Sequence, residues 1–299
     1  MSEPSLLETI QKGIMEEVPL VGQYLWLSLD ANADARESLR FLKERVDGER
    51  VVVGIGQTLV SRLDHKLEGL RQFPVLKNTL VDIPNTASDL WIWLRGDDRG
   101  ELLHQRRSIL EGLEACIDEQ TIVDAFRYKT GLDLTGYEDG TENPSGDDAI
   151  DAAFVKSDDS GMRGSSFVAV QKWVHDMDAF MNNSSEARDH IIGRSIESNE
   201  ELEDAPDSAH VKRAEQEAYE PNAYMLRRSM PWSQEEKMGL VFVAFGKSYD
   251  AFEKVLTRMS GAEDGLPDAL FQFSQPLDGS YYWCPPISGG QLNLSALGV

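Results

Sequence analysis

The chain has 299 residues, with 29 Lys+Arg against 52 Asp+Glu and a formal charge of −23. A field this negative repels phosphate backbones and anionic bilayers, which argues against general nucleic-acid binding and membrane-surface adhesion. An apolar share of 41% with six Trp is enough for a packed core, so wholesale disorder is excluded too. No apolar run approaches the roughly 20 residues that span a bilayer. Residues 1–20 carry four acids where a secretory signal would be basic and then apolar. The two cysteines, Cys116 and Cys284, can build neither a disulfide framework nor a Cys-only metal site. A soluble, acidic, cytoplasmic protein is expected.

Residues 1–20 read as a loosely held leader. Residues 21–29, rich in Tyr, Trp and Leu, predict a strand. Asn32 is then placed to cap a helix with Leu39, Leu42 and Val46 at the 3.6-residue period, and Gly48 falls where a C′ glycine belongs. Strands are predicted at 51–55 and 90–94. They are followed by a helix with Leu102, Ile109, Leu110 and Leu113 on one face, and by a strand at 121–128. The order β-α-β…β-α-β is that of a ferredoxin-like split βαβ.

The second half repeats the theme. A strand at 167–174 leads into Asp178-Ala179-Phe180. Another at 240–245 leads into Asp250-Ala251-Phe252 and a helix with Phe252, Val255, Leu256 and Met259 on one stripe. Residues 197–220, acidic and broken by Pro206, read as a solvated loop. The predicted class is α+β: a leader at 1–20, then modules at 21–135 and 136–299, each an open, mostly antiparallel sheet with helices on one face.

The densest local signal is Gly136-Tyr137-Glu138-Asp139-Gly140-Thr141-Glu142-Asn143-Pro144. Two glycines, an Asn-Pro and a Thr in nine residues specify a defined backbone path. The stretch reads either as an acidic surface turn or as a loop presenting Asp139 to a cavity. A calcium loop fails, because Asp133, Thr135 and Tyr137 fall at the three ligand positions and do not follow the Asp-x-[Asp/Asn]-x-[Asp/Asn]-Gly order. Of five histidines, His65 and His104 fall on predicted polar surfaces, His175 at a strand-to-helix junction as a cap or surface residue, and His190 near a helix end. His210 follows a Pro-containing acidic loop. Arg227 and Arg228 end an apolar run in a chain poor in cations, which favours pairing with a carboxylate or an anionic ligand. No phosphate-binding glycine loop and no His-Glu-x-x-His occurs, so nucleotide and zinc-protease readings lack support.

Together these segments resemble the dye-decolorising peroxidase family of haem enzymes, in its compact cytoplasmic subclass. Gly136-Tyr137-Glu138-Asp139-Gly140 with Thr141-Glu142-Asn143-Pro144 is similar to the family's Gly-x-x-Asp-Gly signature and its Thr-x-Asn-Pro extension. Ser208-Ala209-His210-Val211-Lys212-Arg213 resembles the proximal-histidine segment. Leu226-Arg227-Arg228-Ser229-Met230-Pro231 resembles the distal-arginine segment, with the arginine four residues before Pro at Arg227. Order and separations fit over residues 136–286; the first half agrees mainly in its element order.

The resemblance implies two ferredoxin-like modules with one haem b per chain in the C-terminal one. It implies His210 as the proximal iron ligand, Asp268 as acceptor for the other ring nitrogen, and Asp139 and Arg227 as the catalytic pair that activates hydrogen peroxide. Asp139 would have to be ionised at rest, a state that Arg227 favours. Ser229 stands where some members place Asn. Arg194 resembles a residue near the haem propionates, and Gly140, Thr141, Phe245, Leu270 and Phe273, with Phe242, are expected around the cofactor. Tyr128, Tyr137 and Trp232 are candidate electron relays to bulky donors. The implied reaction reduces hydrogen peroxide through a ferryl intermediate and oxidises phenols, aromatic amines or dyes by one-electron steps. The alternatives are a haem-handling or haem-storage protein, from which Asp139 and Arg227 argue away, and a haem-free scaffold. A homo-oligomer is expected. A faint likeness of residues 292–298 to a nanocompartment-packaging tail competes with a short terminal strand or frayed end.

Overall fold

The computed structural model describes residues 5–113, 117–157, 159 and 161–299; Cys116 lies outside them. In chain order the first half runs β1 (Val21–Leu29), α1 (Ala35–Arg45), β2 (Val51–Gly56), α2 (Gln57–Ser61), β3 (Leu90–Gly96), α3 (Arg99–Leu113) and β4 (Ile117–Phe126). The second half begins with α4 (Gly146–Ala153), β5 (Ser166–His175), α5 (Met177–Met181), α6 (Ser185–Ile192) and α7 (His210–Arg213). It continues with β6 (Leu226–Arg227), β7 (Met230–Gln234), β8 (Lys237–Gly246), α8 (Asp250–Met259), β9 (Ser274–Pro276) and β10 (Ser280–Cys284), and ends in the hairpin β11 (Ile287–Ser288) and β12 (Gln291–Leu292). The class is mixed α+β. Among the described residues, no helix is long and apolar enough to cross a membrane.

The strands of the first half lie in the order β4-β1-β3-β2, and those of the second in the order β10-β5-β8-β7, all pairs antiparallel. The open sheets expected from the sequence are not separate. β2 pairs with β10 (Tyr282↔Gly56, Trp283↔Ile55) and β4 with β7 (Ala125↔Trp232), so the two halves join at both edges into a closed ring. Edge strands present unpaired N–H and C=O groups, and mutual pairing satisfies both edges at once. Gly54 permits one seam, since a Cβ there would lie 2.6 Å from Tyr282 Cβ.

Strand alternation divides the core in two. Tyr24, Trp26, Trp91, Trp93, Trp232, Phe245, Tyr282 and Cys284 point into the ring. Tyr24 stacks on Trp91 and Trp93 there, with centroids 6.0 and 5.9 Å apart. Leu25, Leu27, Ile92, Leu94, Ala169, Trp173 and Ala244 point outward and pack under the helices with Leu39, Leu42, Phe252 and Leu256. The two Asp-Ala-Phe triplets both open helices after a strand, and both phenylalanines are buried.

Three local expectations are corrected, and a choice left open at the C-terminus is resolved. The leader is not loose: Ile10 and Ile14 join the interior core, and the Gln11 side chain donates to the Val53 and Pro285 carbonyls while accepting the Val53 N–H. Arg228 donates to the Ile14 and Met15 carbonyls and fastens the same segment. The α1 cap is Asp34, whose carboxylate accepts the Arg36 and Glu37 N–H groups, and Gly48 falls one position beyond C′. Residues 197–220 are not one loop, because α7 lies within them. Residues 291–292 form the short terminal strand, and Leu292, Leu294 and Leu297 are buried in the outer core, so this stretch is docked and not a free tail.

Asp278 makes one fold prediction. Its Oδ1 accepts the Lys172 backbone N–H at 2.5 Å. Burial pushes its carboxyl up to about 6 even though that bond and the Lys172 charge pull it down. The folded chain therefore holds this proton more tightly than the unfolded chain, and the group's contribution to stability declines as pH rises from about 4 to about 6. Asp278→Asn keeps the acceptor oxygen and should raise stability at neutral pH by about 1–3 kcal/mol. Urea midpoints at acid and neutral pH check this; an unchanged pH slope would refute it.

Candidate active site

Three segments distant in sequence meet on the outer face of the second half, beside α6 and α7. The first is the loop after β4. Isolated bridges Tyr128↔Leu132 and Leu132↔Glu138 fold it back on itself, and the Asp133 N–H donates to the Tyr137 carbonyl at 2.9 Å. Asp133 Oδ1 closes an Asx turn by accepting the Thr135 N–H and Oγ1 at 2.8 and 2.6 Å. Gly140 takes φ 79°, and a Cβ there would meet Asn143 Nδ2 at 2.7 Å. Its lack of a side chain lets Asn143 fold back and clamp β6: Asn143 Nδ2 donates to the Arg227 carbonyl at 3.0 Å, and Oδ1 accepts the Arg227 N–H at 2.8 Å. The signature motif thus fixes Asp139 and the Arg227 backbone to each other.

The second segment is α7, which begins at His210. Its Nδ1 pairs with Asp268 Oδ2 at 2.8 Å, and among the described residues its Nε2 has no hydrogen-bond partner. Asp268 is 2% exposed, and its other oxygen accepts the Leu270 N–H. The far end of α7 is locked by Arg213, which donates two bonds of 2.7 Å to Asp264 and one to the Arg258 carbonyl. The third segment is β6. Leu226 points into the ring, so its neighbour Arg227 points out to the pocket, where its Nε is buried with no hydrogen-bond partner among the described residues.

The charges of these groups are coupled. Burial drives the Asp139 carboxyl above the ordinary range and Asp133 adds to this, while Arg227, His210 and the Gly140 N–H pull it down; burial prevails. The guanidinium alone therefore does not keep Asp139 as acidic as the sequence suggested. Burial disfavours charge on His210, but Asp268 more than offsets this and the imidazole is raised.

Other expected residues fall in three groups. Leu270 and Phe273 pack with Tyr137, Phe180, Ile191 and Ile192 beneath the Asp139 loop. Ser229 is 8% exposed and lines a small cleft with Asp139 and Tyr128. Arg194 is nearly buried and bridges Glu142 and Glu201 at 2.7 and 2.6 Å. Thr141 is exposed, and Phe242 lies on the outer face against Phe252. Phe245 is a correction: strand alternation turns it into the ring beside Trp91, away from the pocket. Trp232 is buried, donates its indole N–H to the Trp173 carbonyl at 2.8 Å and carries Lys172 over its ring, so it is no surface relay. Tyr137 is also buried, its hydroxyl bonded to Asp189. His175, expected at the surface, is buried and bonded to Asp133 and Ser274. Sequence reasoning gave no role to Asn143, although its place in Thr-x-Asn-Pro was a signal, and none to Asp133, whose Asp-x-Thr spacing marks an Asx turn.

An imidazole braced by a buried carboxylate, with its second nitrogen free, suits an axial haem ligand, and a carboxyl–guanidinium pair near it suits peroxide chemistry. Such a set of groups is what a haem peroxidase requires. Residues 130–289 match the profile of the Dyp-type peroxidase C-terminal domain. The dye-decolorizing peroxidase of Rhodococcus erythropolis is 33% identical over 254 residues, 80% of this chain and 72% of that one. Its Mycobacterium tuberculosis counterpart is 30% identical, covering 79% and 73%. Among solved structures, the dye-decolorizing protein of Vibrio cholerae superposes with a TM-score of 0.83 at 26% identity, over 96% and 98% of the chains. A variant of Rhodococcus jostii DypB in complex with haem does so at 0.79 and 27%, over 91% and 94%. The chain belongs to the dye-decolorizing peroxidase family: it is an oxidoreductase acting on peroxide, and its cofactor is haem.

The clamp is directly testable. Asn143→Ala deletes both bonds to the Arg227 backbone and should cost about 1–3 kcal/mol of unfolding free energy, read as a lower urea midpoint. An unaffected midpoint would mean that the loop is held by other contacts.

Proposed function

We propose that His210 Nε2 would hold one haem b per chain between α7 and the Asp139 loop, with Arg194, here paired with Glu142 and Glu201, as the cation for its anionic propionates. The Nε2 of His210, free among the described residues and within electrostatic reach of Asp139 and Arg227, is the observation that carries this reading. Haem supplies the iron at which peroxide is cleaved and the oxidising equivalents are held. Asp268 fixes the His210 tautomer and raises its basicity. Asp139 accepts the proton from one peroxide oxygen and returns it to the other, which leaves as water. A carboxyl raised by burial suits both tasks, being a stronger base than an exposed one and still able to give the proton back. Arg227 stabilises the negative charge that develops as the O–O bond breaks, and Ser229 lines the same cleft. Leu270 and Phe273 wall the cofactor. Of the relay candidates only Tyr128 remains partly exposed, with Lys129 against its ring.

The electron donors are small phenols, aromatic amines and dyes. With the short strands β6 and β9 left out of the count, both halves share a 4-1-3-2 strand order, which supports a duplicated ferredoxin-like fold with modules at 21–135 and 136–299. Cytoplasmic residence and a homo-oligomer complete the reading, on the strength of the acidic composition and the family resemblance.

The test is an absorption spectrum of haem-loaded protein before and after one equivalent of hydrogen peroxide. The wild-type Soret band should shift and then recover on adding a phenol. Arg227→Leu should keep the resting band and react at least about 100-fold more slowly, as loss of a transition-state charge partner implies. A variant as fast as wild type would remove Arg227 from the chemistry.

A further inference from the structure

Behind the Asp139 loop lies a buried polar chain that the peroxide chemistry does not use. Ser274, fully buried on β9, bonds through Oγ to His175 Nδ1 at 2.7 Å, and His175 Nε2 bonds to Asp133 Oδ2 at 3.2 Å. The three elements so joined are β9, the end of β5 and the loop that carries Asp139. The second Asp133 oxygen is taken by Thr135, so all three contacts on this carboxylate among the described residues come from donors. Burial alone would protonate Asp133, but His175 and Thr135 outweigh it and hold the carboxyl below the ordinary range. An ionised Asp133 accepts the Nε2 hydrogen of His175, and Ser274 Oγ holds the other ring nitrogen in place. The chain runs from Ser274 through His175 and ends on the negative charge of the Asp133 carboxylate.

That charge sits on the same short loop as Asp139. The Leu132↔Glu138 bridge and the bond from the Asp133 N–H to the Tyr137 carbonyl draw the two arms of the loop together. The charged groups that act most on Asp139 are Arg227 from β6, His210 from α7 and Asp133 from its own loop; of these three, Asp133 is the one of like sign. The group facing Asp133 from β5 is His175.

We propose that Asp133, held ionised by His175 and Ser274, is a positioning residue that sets the proton affinity of Asp139 and so the pH at which the site becomes competent toward peroxide. The inference rests on the reading of Asp139 as the proton acceptor. Like charge on Asp133 opposes ionisation of Asp139 and offsets the pull of Arg227. The distal carboxyl is thereby kept basic enough to take a proton from peroxide, a far weaker acid.

The experiment uses the haem-loaded full chain and two readouts across pH: the rate of the Soret change with peroxide, and the C–O stretching frequency of the ferrous carbonyl complex. The second involves no turnover and reports charge at the distal group. Asp133→Asn should move both midpoints down by about one pH unit. His175→Leu removes the donor, lets burial protonate Asp133 and should do the same. His175→Gln restores an N–H donor and should return both midpoints to the wild-type value. A folded, haem-loaded Asp133→Asn protein with unmoved midpoints would overturn the proposal. So would His175→Gln and His175→Leu behaving alike, since that is the result expected of loosened packing. If Asp133→Asn does not fold, the two His175 variants decide alone. Asp139→Asn separates the two claims: a carbonyl titration that survives it refutes the reading of Asp139, whatever the Asp133 variants do.

Discussion

Closure of the sheet is the constraint on which the rest depends. The β2–β10 and β4–β7 seams leave each half no free edge among those four strands, and they turn one face of every strand into a sealed interior. That interior takes the large aromatics, Trp91, Trp93, Trp232, Tyr24 and Tyr282, all essentially buried. The leader adds Ile10 and Ile14 to the same cluster, and Arg228 and Gln11 tie it down through backbone carbonyls. With the inside filled, the candidate site lies on the outer face. Alternation then decides residue by residue: Arg227 and Phe242 face outward, while Leu226 and Phe245 do not.

The site is held by backbone clamps more than by ion pairs. Asn143 grips the Arg227 peptide from both sides, Gly140 clears the space for it, and Gln216 links the Glu142 carbonyl to the Met225 N–H. These bonds run between the signature loop, the stretch after α7 and the approach to β6, so the two faces of the pocket cannot drift independently. Such support is what a reaction needs when a proton must pass between two oxygens of one small molecule.

Electrostatics in the pocket is a contest between burial and partners, and the winner differs by residue. Asp139 loses more by desolvation than Arg227 returns, and it ends with a raised carboxyl. Asp133, with three donors, ends lowered although it too is buried. His210 is rescued by Asp268, whose carboxylate is itself fully buried. Counting charges along the chain reveals none of this, because the sign of each outcome depends on the number of donors that converge on the group.

By itself the sequence determined the local matters. Strand and helix periods were enough for the α+β class, since each rests on near neighbours, and the resemblance carried by three ordered motifs singled out Asp139, His210 and Arg227 as candidates. Long-range pairing decided the remainder. The merger of two sheets depends on edges more than a hundred residues apart, and no local pattern records it. The inward turn of Phe245 and Trp232 follows from that merger, because an apolar residue in a strand has the same composition whichever core it faces. The burial of His175 between Asp133 and Ser274 needed β5, β9 and the loop to converge, and a lone histidine in a sequence carries no sign of its partners. Residue chemistry fixed what the groups can do; packing chose their neighbours, and with them the charge each one holds.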